Sequence, residues 1–257
     1  MRNRAAIAVP FALLALIATS SIAAADTDRV SRTIRLDSGG TLILKSFSGR
    51  VTIVGSDRND VSIEATRYGS REALARDPLE IDGGNSRVRI EQRHTDSSMW
   101  SGWRGRDRDD TVEADFEIKV PRRVNLDIDL FSASLDVESV DGDHNVHTFS
   151  SRTRLDNVNG SIRAKGFSGP FDLRSTTWRD RQVIDVETFS GRVQLRIPDS
   201  ARGTIDFESF SGALDANMPI VVQTANRRRI TGRLGSSASG EGSIRVKTFS
   251  GSVSLDR

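Results

Sequence analysis

The chain has 257 residues, 36% of them hydrophobic and 28% charged, with no cysteine and a formal net charge of +2. A chain this long can bury a core without disulfides, and without cysteine it offers no site for lipobox lipidation. Once Arg2 and Arg4 are set aside with the leader described next, Lys plus Arg falls from 37 to 35 and equals Asp plus Glu, so no broad basic surface for nucleic acid or anionic lipid remains.

The first 25 residues read as a cleaved secretory signal. Arg2 and Arg4 form a basic start, Ala5 to Ala18 is almost wholly apolar, and Ala23-Ala24-Ala25 supplies small residues for cleavage before Asp26. The apolar run is shorter than the roughly 20 residues that span a bilayer. Residues 26–257 are then one exported β-repeat domain.

From Val30 onward the signals are strands. "TLILKSF", "RVTIV", "DVSIEA" and "RVRIEQ" alternate with period two, and "SREALARDP", Ser70 to Pro78, is the one short helical stretch. Alternation then stops at His94 to Thr111, "HTDSSMWSGWRGRDRDDT", an insertion that should be exposed. It interleaves Trp100 and Trp103 with Arg104 and Arg106, a pattern able to hold a glycan ring or a partner surface, although nearby Asp residues offset its charge.

Beyond the insertion the chain repeats. Phe-Ser-Gly or a close relative begins at Phe47, Phe131, Phe149, Phe167, Phe189, Phe210 and Phe249, at intervals near one, two or four units of about 20 residues. "IKVPRRVNLDIDLFSASLDV" and "LRIPDSARGTIDFESFSGALDA" are two copies of one longer pattern. The fold class is all-β, a parallel β-helix-like solenoid of two-strand repeats. Hairpins are the competing topology, because "DG" and "NG" turns also make hairpins.

Strand phase gives the triplet its role. In "IDVETFSGRVQLRI" the inward set is Ile184, Val186 and Thr188 before the triplet and Val193, Leu195 and Ile197 after it. One flat strand cannot change parity, so the triplet is a corner or bulge. Gly49, Gly169, Gly191, Gly212 and Gly251 supply backbone freedom there, and the phenylalanines form a structural ladder covering the end of the core.

Three further stretches interrupt or decorate the repeat. "STTWRDRQ", Ser175 to Gln182, carries a third tryptophan, Trp178. "TANRRRITGRLGSSASGEGS", Thr224 to Ser243, reads as a degenerate repeat followed by a Gly/Ser-rich loop. In "DGDHNVH", His144 and His147 point to opposite faces of a strand, so no metal site is expected. The Asp residues of "LDV", "LDN", "FDL" and "ALD" recur at one repeat position, which suits a solvated face better than a single catalytic pair. No catalytic residue, cofactor or metal is therefore assigned.

"VPRRVNLDIDLFSASLDVESVDGDHNVHTFSS" and "GSIRVKTFSGSVSLDR" resemble a bacterial adhesin-type family of unknown function built from toast-rack β-strand repeats. The resemblance is good from Val112 to Leu255 and looser from Val30 to Gln92. It implies a β-solenoid outside the cytoplasm and supplies no catalytic residues. The chain departs from it by carrying Phe where many relatives carry a smaller aliphatic residue, and by its Trp-rich insertion.

Together these features lead us to expect a non-enzymatic exported module, periplasmic or at the outer surface, that binds a protein or glycan of the cell envelope. The alternatives are a carbohydrate-binding or carbohydrate-cleaving solenoid using Trp100, Trp103 and Trp178, and an envelope-stress signalling partner. Because "SVSLDR" follows so soon after the last triplet, the sequence also suggests self-association through an open C-terminal edge strand.

Overall fold

The computed structural model describes residues 26–93, 111–235 and 241–257. It begins with β1 (Asp26–Arg35), the long bent β2 (Thr41–Ser56) and β3 (Asp60–Gly69). Helix α1 (Arg71–Arg76) follows, its first turn closed by the Ser70 hydroxyl, which accepts from the Ala73 amide. Then come β4 (Leu79–Gly84), β5 (Arg87–Gln92) and β6 (Glu113–Pro121).

From β7 (Asn125–Glu138) the chain coils. Each later coil is a pair of strands around a triplet: β8 (His144–Ser150) with β9 (Thr153–Asp156), β10 (Ile162–Ser168) with β11 (Phe171–Arg174), and β12 (Val183–Ser190) with β13 (Val193–Arg196). β14 (Gly203–Ser209) and β15 (Leu214–Ala216) form the next. A hairpin of β16 (Ile220–Ala225) and β17 (Arg229–Leu234) intervenes before the last coil, β18 (Gly242–Ser250) with β19 (Val253–Asp256).

First-half strands make one parallel ladder, β5–β2–β7–β8–β10–β12–β18–β14, and second-half strands another, β6–β2–β7–β9–β11–β13–β19–β15. The fold is thus an all-β solenoid. The hairpin alternative fails for the coils, because "DG" and "NG" lie at turns that pass the chain on to the next parallel coil. Antiparallel pairing is confined to the ends: β4 on β5, β3 and then β1 on β6, and β17 and then β16 on β14. The stretch read as a degenerate repeat at 224–243 contains β17, half of that terminal hairpin.

The core lies between the ladders. In β7, Leu126, Ile128 and Leu130 point inward, Phe131 and Ser132 both point out, and Ala133, Leu135 and Val137 point inward again. The parity change at the triplet is therefore one extra outward residue. Stacking in register brings like side chains together, as with Ile162 beside Ile184 and Leu173 beside Leu195. Each such fully buried aliphatic contributes about 1.5–3 kcal/mol.

Spatial order departs from sequence order at the C-terminal end. β18–β19 lies between β12–β13 and β14–β15. Outward charges explain this: β12 carries Asp185 and Glu187, β14 carries Asp206 and Glu208, and direct neighbours would oppose four carboxylates. Arg245 and Lys247 of β18 sit in register between them. This corrects the expectation of an open C-terminal edge, since β19 is paired on both sides, by β13 and β15. Among the described residues the outermost strand at this end is β16, where Val221 and Val222 are exposed.

Candidate functional site

Because the phenylalanine is the first of the two consecutive outward residues at each corner, the seven rings lie on the outer surface and do not cover the end of the core. Exposure runs from 37% at Phe131 to 54% at Phe210, and Phe47 is half-buried. They stack in the order 47, 131, 149, 167, 189, 249, 210, with ring centroids 4.8–5.0 Å apart and planes within 7° of parallel. Six such steps give a ribbon about 29 Å long. At one end the Arg228 guanidinium lies 4.7 Å over the Phe210 ring.

The backbone sets this spacing. At Gly169 φ is +122°, and a Cβ there would stand 2.0 Å from the Ser151 carbonyl oxygen; at Gly191, one coil on, a Cβ would meet the Gly169 carbonyl oxygen at 2.2 Å. Ala133 and Ser151 occupy the same column without positive φ. The corner thus accepts a small side chain at Ala133 and Ser151 and excludes one at Gly169 and Gly191.

Two polar rows flank the ribbon. On one side a serine follows every phenylalanine: Ser48, Ser132, Ser150, Ser168, Ser190, Ser250 and Ser211. On the other lie, in spatial order, Asp129, His147, Lys165, Glu187, Lys247 and Glu208, with pairs at 3.1 Å (His147–Asp129), 3.3 Å (Lys165–Glu187) and 3.7 Å (Lys247–Glu208). Near Phe189, Phe249 and Phe210 the surface dips into an open groove of about 550 Å³ that also takes in Lys165, Glu208 and Arg228. This face offers apolar ring edges beside hydroxyls and nearly balanced charge.

Trp100, Trp103, Arg104 and Arg106 lie outside the described residues, but the ends of their segment are placed. Glu91 stands opposite Lys45 and Ala114 opposite Gly49, so the segment leaves from the corner position of the coil beside Phe47. Gln92 donates to the Val112 carbonyl at 3.0 Å and ties those ends together. Trp178 is not a free platform: its Nε1 donates to the Arg202 carbonyl at 2.9 Å, and its six-membered ring lies against Gly242.

His144 is buried in the core while His147 is exposed on the outer row. Burial holds the His144 imidazole neutral, with its pKa pushed down to about 4. No cluster of three or more metal-type side chains occurs among the described residues. Asp136, Asp172 and Asp215 do share one outward row, whereas Asp156 lies two residues further along its strand. A groove there gathers Arg154, Arg174, Arg196 and Arg257, but each is matched to a carboxylate: Arg154 and Arg174 to Asp156, Arg196 to Asp172 and Arg257 to Asp199. Three carboxylates thus offset most of the four positive charges, and every guanidinium there already has an acid beside it.

The sequence could have disclosed the outward ribbon, since the residues next to the inward Thr148, Thr188 and Thr248 are the phenylalanines themselves. The spatial neighbours of β18 had a signal too, in the signs of Asp185, Glu187, Arg245, Lys247, Asp206 and Glu208.

The model of the family described as Toastrack DUF4097 matches residues 125–256. Among solved structures the chain is similar to a putative cell adhesion protein from Clostridium sporogenes, with 13% identity and a TM-score of 0.54 over 90% of this chain and 99% of that one. A putative adhesin from Bacteroides fragilis matches with 8% identity and a TM-score of 0.32 over 89% and 97%. No curated protein matches the chain.

Proposed function

The chain belongs to the Toastrack DUF4097 family, and on that premise we propose that it is an exported, non-catalytic interaction module whose adhesive face is the phenylalanine–serine ribbon. One observation carries this reading: seven large apolar rings are held half-exposed in a continuous row, at positions where the core does not need them. An exposed apolar strip of this length with a polar rim suits a contact surface.

Export is supported by the Arg2/Arg4 start and the apolar run to Ala18, and no helix among the described residues is long and apolar enough to cross a membrane. The domain is residues 26–257, and its partner is a component of the cell envelope. Stacked rings turn their faces to one another, which disfavours sugar stacking on the ribbon and favours a protein partner that meets ring edges.

The test is retention of purified protein on isolated cell-envelope sheets, comparing wild type with Phe149→Ser/Phe167→Ser/Phe189→Ser. A folded triple variant, checked by circular dichroism, should bind at least about tenfold more weakly. Undiminished retention by the folded variant would remove the ribbon from the function.

A further inference from the structure

Both walls of a coil-wide slot, β12–β13 and β14–β15, precede in the chain the segment that fills it, β18–β19. Inside the slot Ile244 lies between Ile184 and Ile205, Val246 between Val186 and Phe207, and Val253 between Val193 and Leu214. Outside, Arg245 lies between Asp185 and Asp206, and Lys247 between Glu187 and Glu208. Phe249 completes the ribbon between Phe189 and Phe210.

The slot therefore specifies its occupant: alternating apolar residues inward, two cations outward and a ring at the corner. Strands β7, β12 and β14 would bring acids against acids, since their outward pairs are Asp127/Asp129, Asp185/Glu187 and Asp206/Glu208. β10 has the right signs, Arg163 and Lys165, but is held between β8 and β12. β8 offers only Asn145 and His147 outward and is held between β7 and β10, which leaves the last coil. The entrance is equally specific: the Arg202 carbonyl accepts from both the Gly242 amide at 3.0 Å and Trp178 Nε1 at 2.9 Å, and Gly242 fits under the indole where a Cβ would not.

We infer that this slot is an assembly site for a second copy of the chain: Gly242–Asp256 acts as a donor segment that exchanges between copies. The segment carries every determinant the slot reads, and it joins the rest through residues 235–241. Leu234 and Gly242, at either end of that connection, stand opposite Gly203 on the two sides of β14. The segment reaches its own slot by crossing one strand, and a copy that presents an open slot offers it identical contacts. The mode is strand addition with charge-coded selection.

The experiment uses the full chain. Copies carrying only Glu187→Cys are unfolded in urea with copies carrying only Lys247→Cys, refolded together and oxidised; a chain carrying both cysteines reports the register within one copy. In parallel, wild-type chain is refolded with a labelled synthetic peptide of residues 241–257, or with the same peptide bearing Arg245→Glu and Lys247→Glu. Exchange predicts covalent 187–247 dimers in the mixture and at least about tenfold more incorporation of the native peptide than of the reversed one. An internal disulfide in the double-cysteine chain, with neither dimers in the mixture nor peptide uptake, would overturn exchange. Equal uptake of both peptides would overturn charge selection, and failure of the internal disulfide would overturn the register itself.

Discussion

Between β7 and β13 each coil lies on the coil before it in sequence, so most contacts form within about 20 residues. Between β12 and β19 the chain lays down β14–β15, turns back as a hairpin and only then fills the gap it left. The middle is specified by repetition, with small corner residues and aligned rings. The end is specified by difference: like charges disfavour the sequential order and opposite charges favour the observed one. A solenoid can thus use one inward pattern throughout and set neighbour identity with the outward one.

The strongest way to break this contrast is at a middle corner. Gly169→Val, with positive φ and a carbonyl where its Cβ must go, should cost about 4 kcal/mol in urea unfolding, whereas Ser151→Gly in the same column should cost under about 1 kcal/mol. Equal effects would mean that the corner is not set by backbone contact.

His144 gives the middle a pH dependence. An unfolded histidine takes up a proton near pH 6.5, but folded His144 resists until about 4, so the unfolded state binds more protons between those values. Stability should therefore fall as pH drops from about 6.5 to about 4, by up to about 3 kcal/mol, and level off below. Denaturation of wild type and His144→Leu across that range should diverge accordingly; parallel curves would show that the imidazole is not held neutral.

Charge reversal compares the two regions directly. Arg245→Glu/Lys247→Glu faces acids on both sides and should cost about 2 kcal/mol, while Arg163→Glu/Lys165→Glu, with acids only on the β12 side, should cost about half that. Both losses should shrink in high salt. The smallest effect separates the ends of the ribbon. Phe167→Ala loses two ring neighbours and Phe210→Ala loses one, plus the Arg228 contact, so thermal unfolding should place them about 1 kcal/mol apart or less.

Much of this was legible in the residues. Ile184, Val186 and Thr188 against Val193, Leu195 and Ile197 already state that the chain bends at Phe189, and the first five of the seven corners follow one another in space as they do in sequence. The ribbon was harder to read, because a phenylalanine beside a parity break is apolar enough to suggest burial. Its true side depends on where the extra residue of the bulge is placed. Trp178 reads in the sequence as an exposed stacking platform, whereas its indole packs against Gly242, a residue more than sixty positions later.

By itself the sequence determined the all-β class, the period, the inward set of each strand and the corner at each triplet, because those follow from side-chain alternation within a few residues. Only the tertiary structure decided that the rings stack outside and that the last coil enters between two earlier ones. Backbone pairing is nearly indifferent to which parallel neighbour it meets. The choice falls to side chains such as Asp185, Arg245 and Asp206, which interact only once the chain has brought them together.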